Sequence, residues 1–226
     1  MYFDDYYLLL VVPTLILSLW AQIVVQSTFA KYSKIPNSRK ITGHDTAVLL
    51  LKANQIDDVR IEEVSGSLTD HYDPSAKILR LSGTVFNNDS IAAVGIAAHE
   101  TGHAIQHARS WGPLVLRTGL VPIANLGSSL GPWLAVAGIF FSLPILINIG
   151  IILFGAAVLF YLVTLPVEFN ASSRAIAILR ENNVLDESEI AGVKKALTAA
   201  AMTYVASALT ALMSFLRLIL LSRRRK

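Results

Sequence analysis

Residues 90–110, SIAAVGIAAHETGHAIQHARS, carry the pattern around which the rest of the chain has to be arranged. His99, Glu100 and His103 match the sequence H-E-x-x-H, and residues four apart in a helix share one face. Both imidazoles can therefore ligate a single zinc ion, while Glu100 flanks the zinc-activated water as general base. The pattern predicts a metal-binding helix with the chemistry of a zinc hydrolase.

Two other interpretations of this helix compete with the catalytic one. It could be a surface helix with two incidental histidines, but the apolar residues 96–98 and the small Gly102 favour a buried face. His107 could also join His99 and His103 as a third ligand. At about 1.5 Å per residue, however, His107 lies about 12 Å along the helix axis from His99, so the three side chains cannot reach one zinc. We expect His107 either to have a structural role or to orient one of the ligands.

The apolar content of the chain indicates a membrane protein. It is 54% apolar and 15% charged, against roughly 45–50% and 25% in soluble domains. The excess lies in runs long enough to cross a bilayer. These are residues 7–27, residues 115–166, which Pro144 divides into two helices joined by a tight turn, and residues 196–221, which Arg217 interrupts. We expect about four membrane spans.

The formal charge of +3 is better explained by membrane topology than by nucleic-acid binding. The basic residues flank apolar runs and do not alternate with aromatic residues, as they would in a nucleic-acid interface. Residues 7–27 lack the basic lead and cleavage site of a signal peptide, which favours a retained anchor. Positive-inside bias places residues 31–40 and the zinc region in the cytoplasm, with the N-terminus outside. If the last helix spans the membrane, the basic residues 223–226 lie outside, which conflicts with the same bias. This helix therefore either crosses in spite of that bias or lies in the membrane interface.

A catalytic zinc usually takes three protein ligands and leaves the fourth position for water. Because the chain has no cysteine, the third ligand must be His, Asp or Glu. It must also face the same side of the membrane as His99, which requires an even number of crossings between them. Glu168 meets this condition as the first acidic residue after two predicted spans. A carboxylate stabilised by a helix N-terminus is the alternative role for Glu168, and Asp70 and Asp73 are competing ligands.

Residues 41–110 are predicted to form a compact, water-facing region. Residues 65–76 are rich in turn formers, and Asn88 or Asp89 is expected to cap the H-E-x-x-H helix, which runs to about Arg109. The expected elements follow in the order helix, strand, strand, helix: residues 46–56, 59–64, 77–86 and the H-E-x-x-H helix.

These patterns predict a mainly α membrane protein with a small α+β, zincin-like catalytic region (helix, strand, strand, H-E-x-x-H helix) and about four transmembrane helices. The expected segments are an N-terminal anchor (1–30), a cytoplasmic catalytic region (31–112), a transmembrane hairpin (113–167), a helical segment with the third ligand (168–195) and a C-terminal apolar helix with a basic tail (196–226).

Four segments carry a resemblance to a known family: LTDHYDP (68–74), LRLSGTVF (79–86), AAHETGHAIQHA (97–108) and LPVEFNASSRA (165–175). With the anchor and the closing apolar run, they make nearly the whole chain similar to the bacterial membrane neutral zinc metallopeptidases of the YugP type. Other membrane zinc peptidases with a glutamate as third ligand are related in outline. The combination of LTDHYDP with HETGHAIQHA is far more specific than H-E-x-x-H alone.

The resemblance implies one zinc ion per chain, held by His99, His103 and Glu168, with Glu100 as general base. Many glutamate-ligand membrane peptidases have an aspartate four residues after that glutamate, whereas this chain has Ser172. In its place Asn170 or Arg174 is expected to orient the zinc ligands.

The resemblance also suggests where substrate would lie. LRLSGTVF resembles the edge strand along which such peptidases align an extended substrate by main-chain hydrogen bonds, through Leu79, Arg80, Leu81 and Ser82. His71, Tyr72 and Arg174 are candidates to stabilise the oxyanion of the tetrahedral intermediate, because each can donate a hydrogen bond. His71 and Tyr72 could equally be turn residues that tie down a loop.

Together these observations predict a zinc-dependent endopeptidase embedded in a bacterial cytoplasmic membrane, with its active site facing the cytoplasm. Its expected partners are the bilayer and membrane-associated or unfolded polypeptide substrates, and no nucleic acid. The alternative is a non-hydrolytic membrane scaffold or sensor, whose closed zinc site would need a fourth protein ligand such as His71 or Asp70. A transporter is disfavoured, since the predicted spans carry no paired charges at mid-depth, where Arg217 stands alone.

Overall fold

The computed structural model describes residues 4–223, so the end of the basic tail, residues 224–226, lies outside the described residues. A π-helical turn at Tyr7–Val11 leads directly into the first α-helix. The α-helices are α1 (Val12–Tyr32), α2 (Gly43–Ala53), α3 (Gly83–Phe86), α4 (Ile91–Ala108), α5 (Gly112–Phe141), α6 (Pro144–Glu181) and α7 (Glu187–Arg223), and the strands are β1 (Arg60–Val64), β2 (His71–Asp73) and β3 (Ile78–Ser82).

Within the described residues, four helical segments are long and apolar enough to cross a membrane: Tyr7–Tyr32, Gly112–Phe141, Pro144–Glu181 and Glu187–Arg223. The expectation of a mainly α membrane protein with a small α+β region is therefore confirmed. Pro144 separates α5 from α6 as predicted, because its ring fixes φ and it has no N–H to donate within a helix. The chain divides into two compact units. One comprises residues 23–112 and 167–201, and the other comprises the remaining segments.

The unit formed by residues 23–112 and 167–201 contains a three-stranded sheet in the order β1-β3-β2. β3 is parallel to β1 and antiparallel to β2, with Leu79 opposite both Ile61 and Tyr72. β3 is therefore the central strand, and the expectation that Leu79, Arg80, Leu81 and Ser82 form the edge strand is wrong. The error arose because β2 has only three residues and lies in a segment dominated by turn formers, so its alternation could not be recognised.

The two carboxylates of LTDHYDP hold the turns at either end of β2. Asp70 accepts a 2.7 Å hydrogen bond from the Ser82 amide, and Asp73 accepts hydrogen bonds from the amides of Ser75 and Ala76. These contacts give both aspartates a structural role. The predicted strand 77–86 ends at Ser82, after which the chain turns into the single turn of α3.

Helix α4, which contains H-E-x-x-H, is capped by Ser90 and not by Asn88 or Asp89. The Ser90 hydroxyl accepts a hydrogen bond from the Ala93 amide, as an N-cap residue does. Asn88 instead accepts a 2.7 Å hydrogen bond from the Ser90 amide, one step before the helix. Most of α4 is buried, and its small residues allow the neighbouring helices α2, α6 and α7 to approach closely.

In the other unit, α5 and α6 form an antiparallel pair whose contact surface is lined with small residues. A Cβ atom added at Gly131 would lie 2.8 Å from the Phe154 amide nitrogen, and one at Gly138 would lie 2.6 Å from that of Ile147. Such close backbone approach is how membrane helices associate when lipid offers no hydrophobic driving force between them.

Arg217, which interrupts the last apolar run, forms an ion pair with Asp4. Its Nη2 lies 2.6 Å and its Nε 3.1 Å from Asp4 Oδ2, and the guanidinium stands over the Tyr7 ring. A second contact between α1 and α7, at 3.3 Å, joins the hydroxyls of Ser18 and Thr210. The two helices are therefore antiparallel within this unit. Arg217 lies level with the start of the first helix and not at mid-depth.

Candidate metal centre

Three side chains predicted to ligate zinc come together in the structure. Ligand atoms of His99, His103 and Glu168 all lie within 4.8 Å of one another. Glu168 Oε2 is 3.3 Å from His99 Nε2 and 3.6 Å from His103 Nε2. The Glu168 side chain is only 3% exposed, whereas those of His99 and His103 are 14% and 11% exposed. The group is therefore nearly enclosed, with its remaining access on the histidine side.

The spacing of these atoms fits a tetrahedral zinc ion. Ligands bound at 2.0–2.1 Å to a tetrahedral centre lie about 3.4 Å apart, close to both measured separations from Glu168. Two imidazole nitrogens and one carboxylate oxygen also make a donor set typical of catalytic zinc. Neither His71 nor Asp70 belongs to the group found in the described part of the chain. The group supplies three protein ligands, the number that a catalytic zinc usually takes.

Glycine 102, between the two histidines, allows the ligand-bearing helices to meet. A Cβ atom at this position would lie 2.7 Å from the carbonyl oxygen of Ala171 on α6, well inside contact distance. Ala171 itself is fully buried. The close approach of the two backbones lets the Glu168 carboxylate reach both imidazoles.

Glu168 does not lie at a helix start. Helix α6 continues through Pro166 to Glu181 without a break, so Glu168 is an interior helical residue. The alternative role as a carboxylate stabilised by a helix N-terminus is therefore wrong. The change from an apolar run to a polar segment at Glu168 had suggested that a new helix begins there, but α6 is continuous through this position.

Glu100 follows the first histidine and is itself 9% exposed. The Glu100 carboxylate also lies close enough to His103 to affect the pKa of that imidazole. Burial alone would lower the pKa of the His103 imidazole, but the Glu168 carboxylate beside it and the nearby Glu100 carboxylate raise that pKa above its ordinary value. Glu100 is thus close to the ligands without belonging to the group of three.

The distal nitrogens of both histidines have hydrogen-bond partners, and neither partner was predicted from the sequence. His103 Nδ1 lies 3.0 Å from Gln106 Oε1, and His99 Nδ1 lies 3.2 Å from the Ser172 hydroxyl. Ser172 therefore contacts a ligand directly, whereas Asn170 or Arg174 was expected to orient the ligands. Gln106 was overlooked, although an amide three residues after a ligand on the same helix could have indicated it.

The remaining predicted site residues have other partners. His107 does not join the metal group, and its Nδ1 lies 2.8 Å from the Tyr72 hydroxyl. Half-burial raises the pKa of Tyr72 to about 12, with Asp58 and Asp73 contributing. His71 is exposed, with Nδ1 2.8 Å from the Thr69 carbonyl oxygen. These contacts tie down the β2 segment, as the alternative interpretation of His71 and Tyr72 proposed.

Arg174, the third oxyanion candidate, contacts Asn170 on the same helix. Its Nε donates a 2.7 Å hydrogen bond to Asn170 Oδ1, which also accepts a hydrogen bond from Gln106 Nε2. Asn170 and Arg174 therefore reach His103 through Gln106, and not directly.

Comparison with known proteins agrees with this geometry. Residues 7–223 match the family described as "Putative neutral zinc metallopeptidase". The protein named "Putative membrane protease YugP" from Bacillus subtilis (strain 168) is 47% identical over 215 residues, covering 95% of this chain and 96% of the relative. No solved structure matches the chain significantly.

Proposed function

Because the chain belongs to the family described as "Putative neutral zinc metallopeptidase", we propose that it is a membrane-embedded zinc-dependent endopeptidase. In this proposal His99, His103 and Glu168 hold one zinc ion, and Glu100 is the general base. The observation that carries the proposal is the three-membered group itself, with ligand atoms within 4.8 Å of one another and a buried carboxylate, Glu100, one residue after the first ligand.

The chemistry of the site follows from these side chains. Zinc, when bound, supplies a Lewis acid that polarises the peptide carbonyl and lowers the pKa of water. Glu100 accepts a proton from the attacking water as its oxygen bonds to the carbonyl carbon. The same carboxylate then passes that proton to the leaving amine nitrogen as the C–N bond breaks. Glu168 and the two histidines stay in place as ligands throughout.

The position of the ligands along the chain supports a substrate class. The chain enters the candidate span Gly112–Phe141 nine residues after His103, and Glu168 follows directly on the apolar part of α6. We therefore propose membrane-associated or unfolded membrane polypeptides as substrates, cut close to the bilayer.

Removal of the metal tests the proposal. Full-length protein purified in detergent should cleave an unfolded membrane-protein substrate, lose this activity when a chelator strips the zinc, and regain it when one equivalent of zinc is restored. Peptide products would be measured by mass spectrometry, and bound zinc by elemental analysis. A protein that binds one zinc per chain and cleaves nothing under any of these conditions would be the scaffold or sensor, and the peptidase proposal would be wrong.

We also propose that the metal site faces the cytoplasm of a bacterial cell and that both ends of the chain lie outside. Basic residues 31–40 and the lysines at 194 and 195 flank spans on the side of the metal site, which fits positive-inside bias. The Asp4–Arg217 ion pair supports a last helix that crosses, because it brings the end of α7 beside the start of the first helix.

Labelling of single cysteines can test this orientation cleanly, since the chain has none of its own. We expect an impermeant maleimide to label Asp5→Cys and Ser222→Cys in spheroplasts, whereas Ser67→Cys, in the exposed turn before β2, should be labelled only after lysis. Labelling of Ser67→Cys in intact spheroplasts would place the metal site outside. Protection of Ser222→Cys alone would show that the last helix does not cross.

A further inference from the structure

We propose that Gln106 is a positioning residue. It fixes which nitrogen of His103 carries the proton, and it joins the H-E-x-x-H helix to the helix that supplies Glu168. The inference rests on the proposed zinc site, but it is independent of whether the site cleaves peptides.

Gln106 is fully buried, and both the oxygen and the nitrogen of its side-chain amide form hydrogen bonds. The Oε1 atom lies 3.0 Å from His103 Nδ1, while Nε2 donates 2.9 Å and 3.0 Å hydrogen bonds to the Val167 carbonyl oxygen and to Asn170 Oδ1. Val167 directly precedes Glu168. One side chain on α4 therefore contacts a ligand of its own helix and the backbone next to the ligand on α6.

The direction of these hydrogen bonds is determined by partners that can act in only one way. A main-chain carbonyl can only accept, so the Gln106 atom facing Val167 must be the NH2 group. The Arg174 guanidinium can only donate, so the Asn170 atom that it contacts must be the carbonyl oxygen, and this oxygen also faces the Gln106 NH2. Both constraints turn the Gln106 oxygen toward His103.

The consequence for His103 is a single tautomer. Because Gln106 Oε1 can only accept, His103 Nδ1 must carry a hydrogen, and the lone pair of the neutral ring is then on Nε2. This Nε2 is the atom that lies 3.6 Å from Glu168 Oε2, within the metal group. The buried amide therefore prepares His103 to ligate zinc through the correct nitrogen and holds the plane of its ring.

The other histidine lacks such a constraint. His99 Nδ1 faces the Ser172 hydroxyl at 3.2 Å, and a hydroxyl can donate as well as accept. The contact therefore permits either tautomer of His99. This difference makes Ser172 the matched control for Gln106, since both contact the distal nitrogen of a predicted ligand.

Substitution by methionine tests the proposal, because methionine has nearly the volume of glutamine without its hydrogen bonds. We expect Gln106→Met to weaken zinc binding about 10–100-fold, the usual loss when a partner that orients a metal ligand is removed. Affinity would be measured by competition with a chromophoric chelator. We expect Ser172→Ala to weaken zinc binding less than Gln106→Met does, because the hydroxyl does not select a tautomer of His99.

A control separates this effect from general loss of stability. Asn37 is another buried amide, 2% exposed, and among residues 4–223 its side chain bonds to main-chain groups of Ile41 and Asp89 and to no predicted ligand. We expect Asn37→Leu to lower the thermal unfolding midpoint while leaving zinc affinity unchanged. Zinc affinity of Gln106→Met within twofold of the wild type would contradict the proposal.

The wild-type protein supplies a measurement that does not depend on any variant folding. In the zinc-loaded protein labelled with 15N-histidine, NMR should show the His103 proton on Nδ1, protected from exchange with solvent. A proton on His103 Nε2 would contradict the role of Gln106 even if Gln106→Met could not be purified. A wild-type protein that binds no zinc would instead contradict the proposed function, so the two failures are distinguishable.

Discussion

Replacement of Glu100 by glutamine is expected to abolish peptide cleavage while leaving one zinc ion bound. The amide has nearly the shape of the carboxylate but cannot accept the proton of the attacking water. Loss of a general base typically costs 10²–10⁴ in rate. Glu100 is outside the group of three ligand atoms, so zinc affinity should change little. Because the side chain is only 9% exposed and glutamine has nearly its shape, the variant should keep the packing around this position.

The matched control is Glu63→Gln, which removes one carboxylate from an exposed position on β1. Cleavage would be followed with the unfolded membrane-protein substrate, and zinc would be counted in the same samples. We expect the control to cleave at the wild-type rate. Equal rates for Glu100→Gln and the wild type would remove Glu100 from the mechanism. Loss of zinc from Glu100→Gln would show that the carboxylate has a structural part in the metal site.

Two features of the site could be predicted because they depend on local rules. The four-residue spacing of His99 and His103 places both rings on one helical face whatever the surroundings are. Glu168 followed from the requirement that the chain return to the same side of the membrane, which needs only the length of the apolar run and the position of Pro144. The first argument uses the period of the helix, the second uses the length of the apolar run against bilayer thickness, and neither needs a tertiary contact.

The features that were missed depend on tertiary contacts. The short strand β2 is held in place by pairing with β3. Its own residues lie next to Pro74 in a segment rich in turn formers, so the sequence alone predicts a turn there. The partnership of Asp4 with Arg217 joins residues at opposite ends of the chain, and no periodicity reports such a pair. Ser90 caps α4 in preference to two residues with similar capping propensity, because Asn88 bonds to the Ser90 amide and begins the turn before the helix.

Glu168→Ala is expected to have the largest effect on metal binding. Removal of the carboxylate leaves two imidazoles, and two ligands do not make a catalytic zinc site. We expect a loss of zinc affinity greater than the 10–100-fold that follows removal of an orienting partner, and hence greater than that of Gln106→Met. Metal content after dialysis and competition with a chelator would measure it. Cleavage should be lost in proportion to zinc.

Two further variants show whether this loss comes from the missing ligand. Glu168→Gln retains an oxygen that can ligate but no charge, so its zinc affinity should lie between those of Glu168→Ala and the wild type. Glu181→Gln removes an exposed carboxylate at the end of the same helix and should bind zinc normally.

Unchanged zinc content in Glu168→Ala would redirect the search for the third ligand to Asp70 or Asp73. Asp70 already accepts a hydrogen bond from the Ser82 amide, and Asp73 accepts hydrogen bonds from the amides of Ser75 and Ala76. Ligation by either carboxylate would therefore require its turn to rearrange. The present contacts therefore favour Glu168, whose carboxylate already faces both imidazoles.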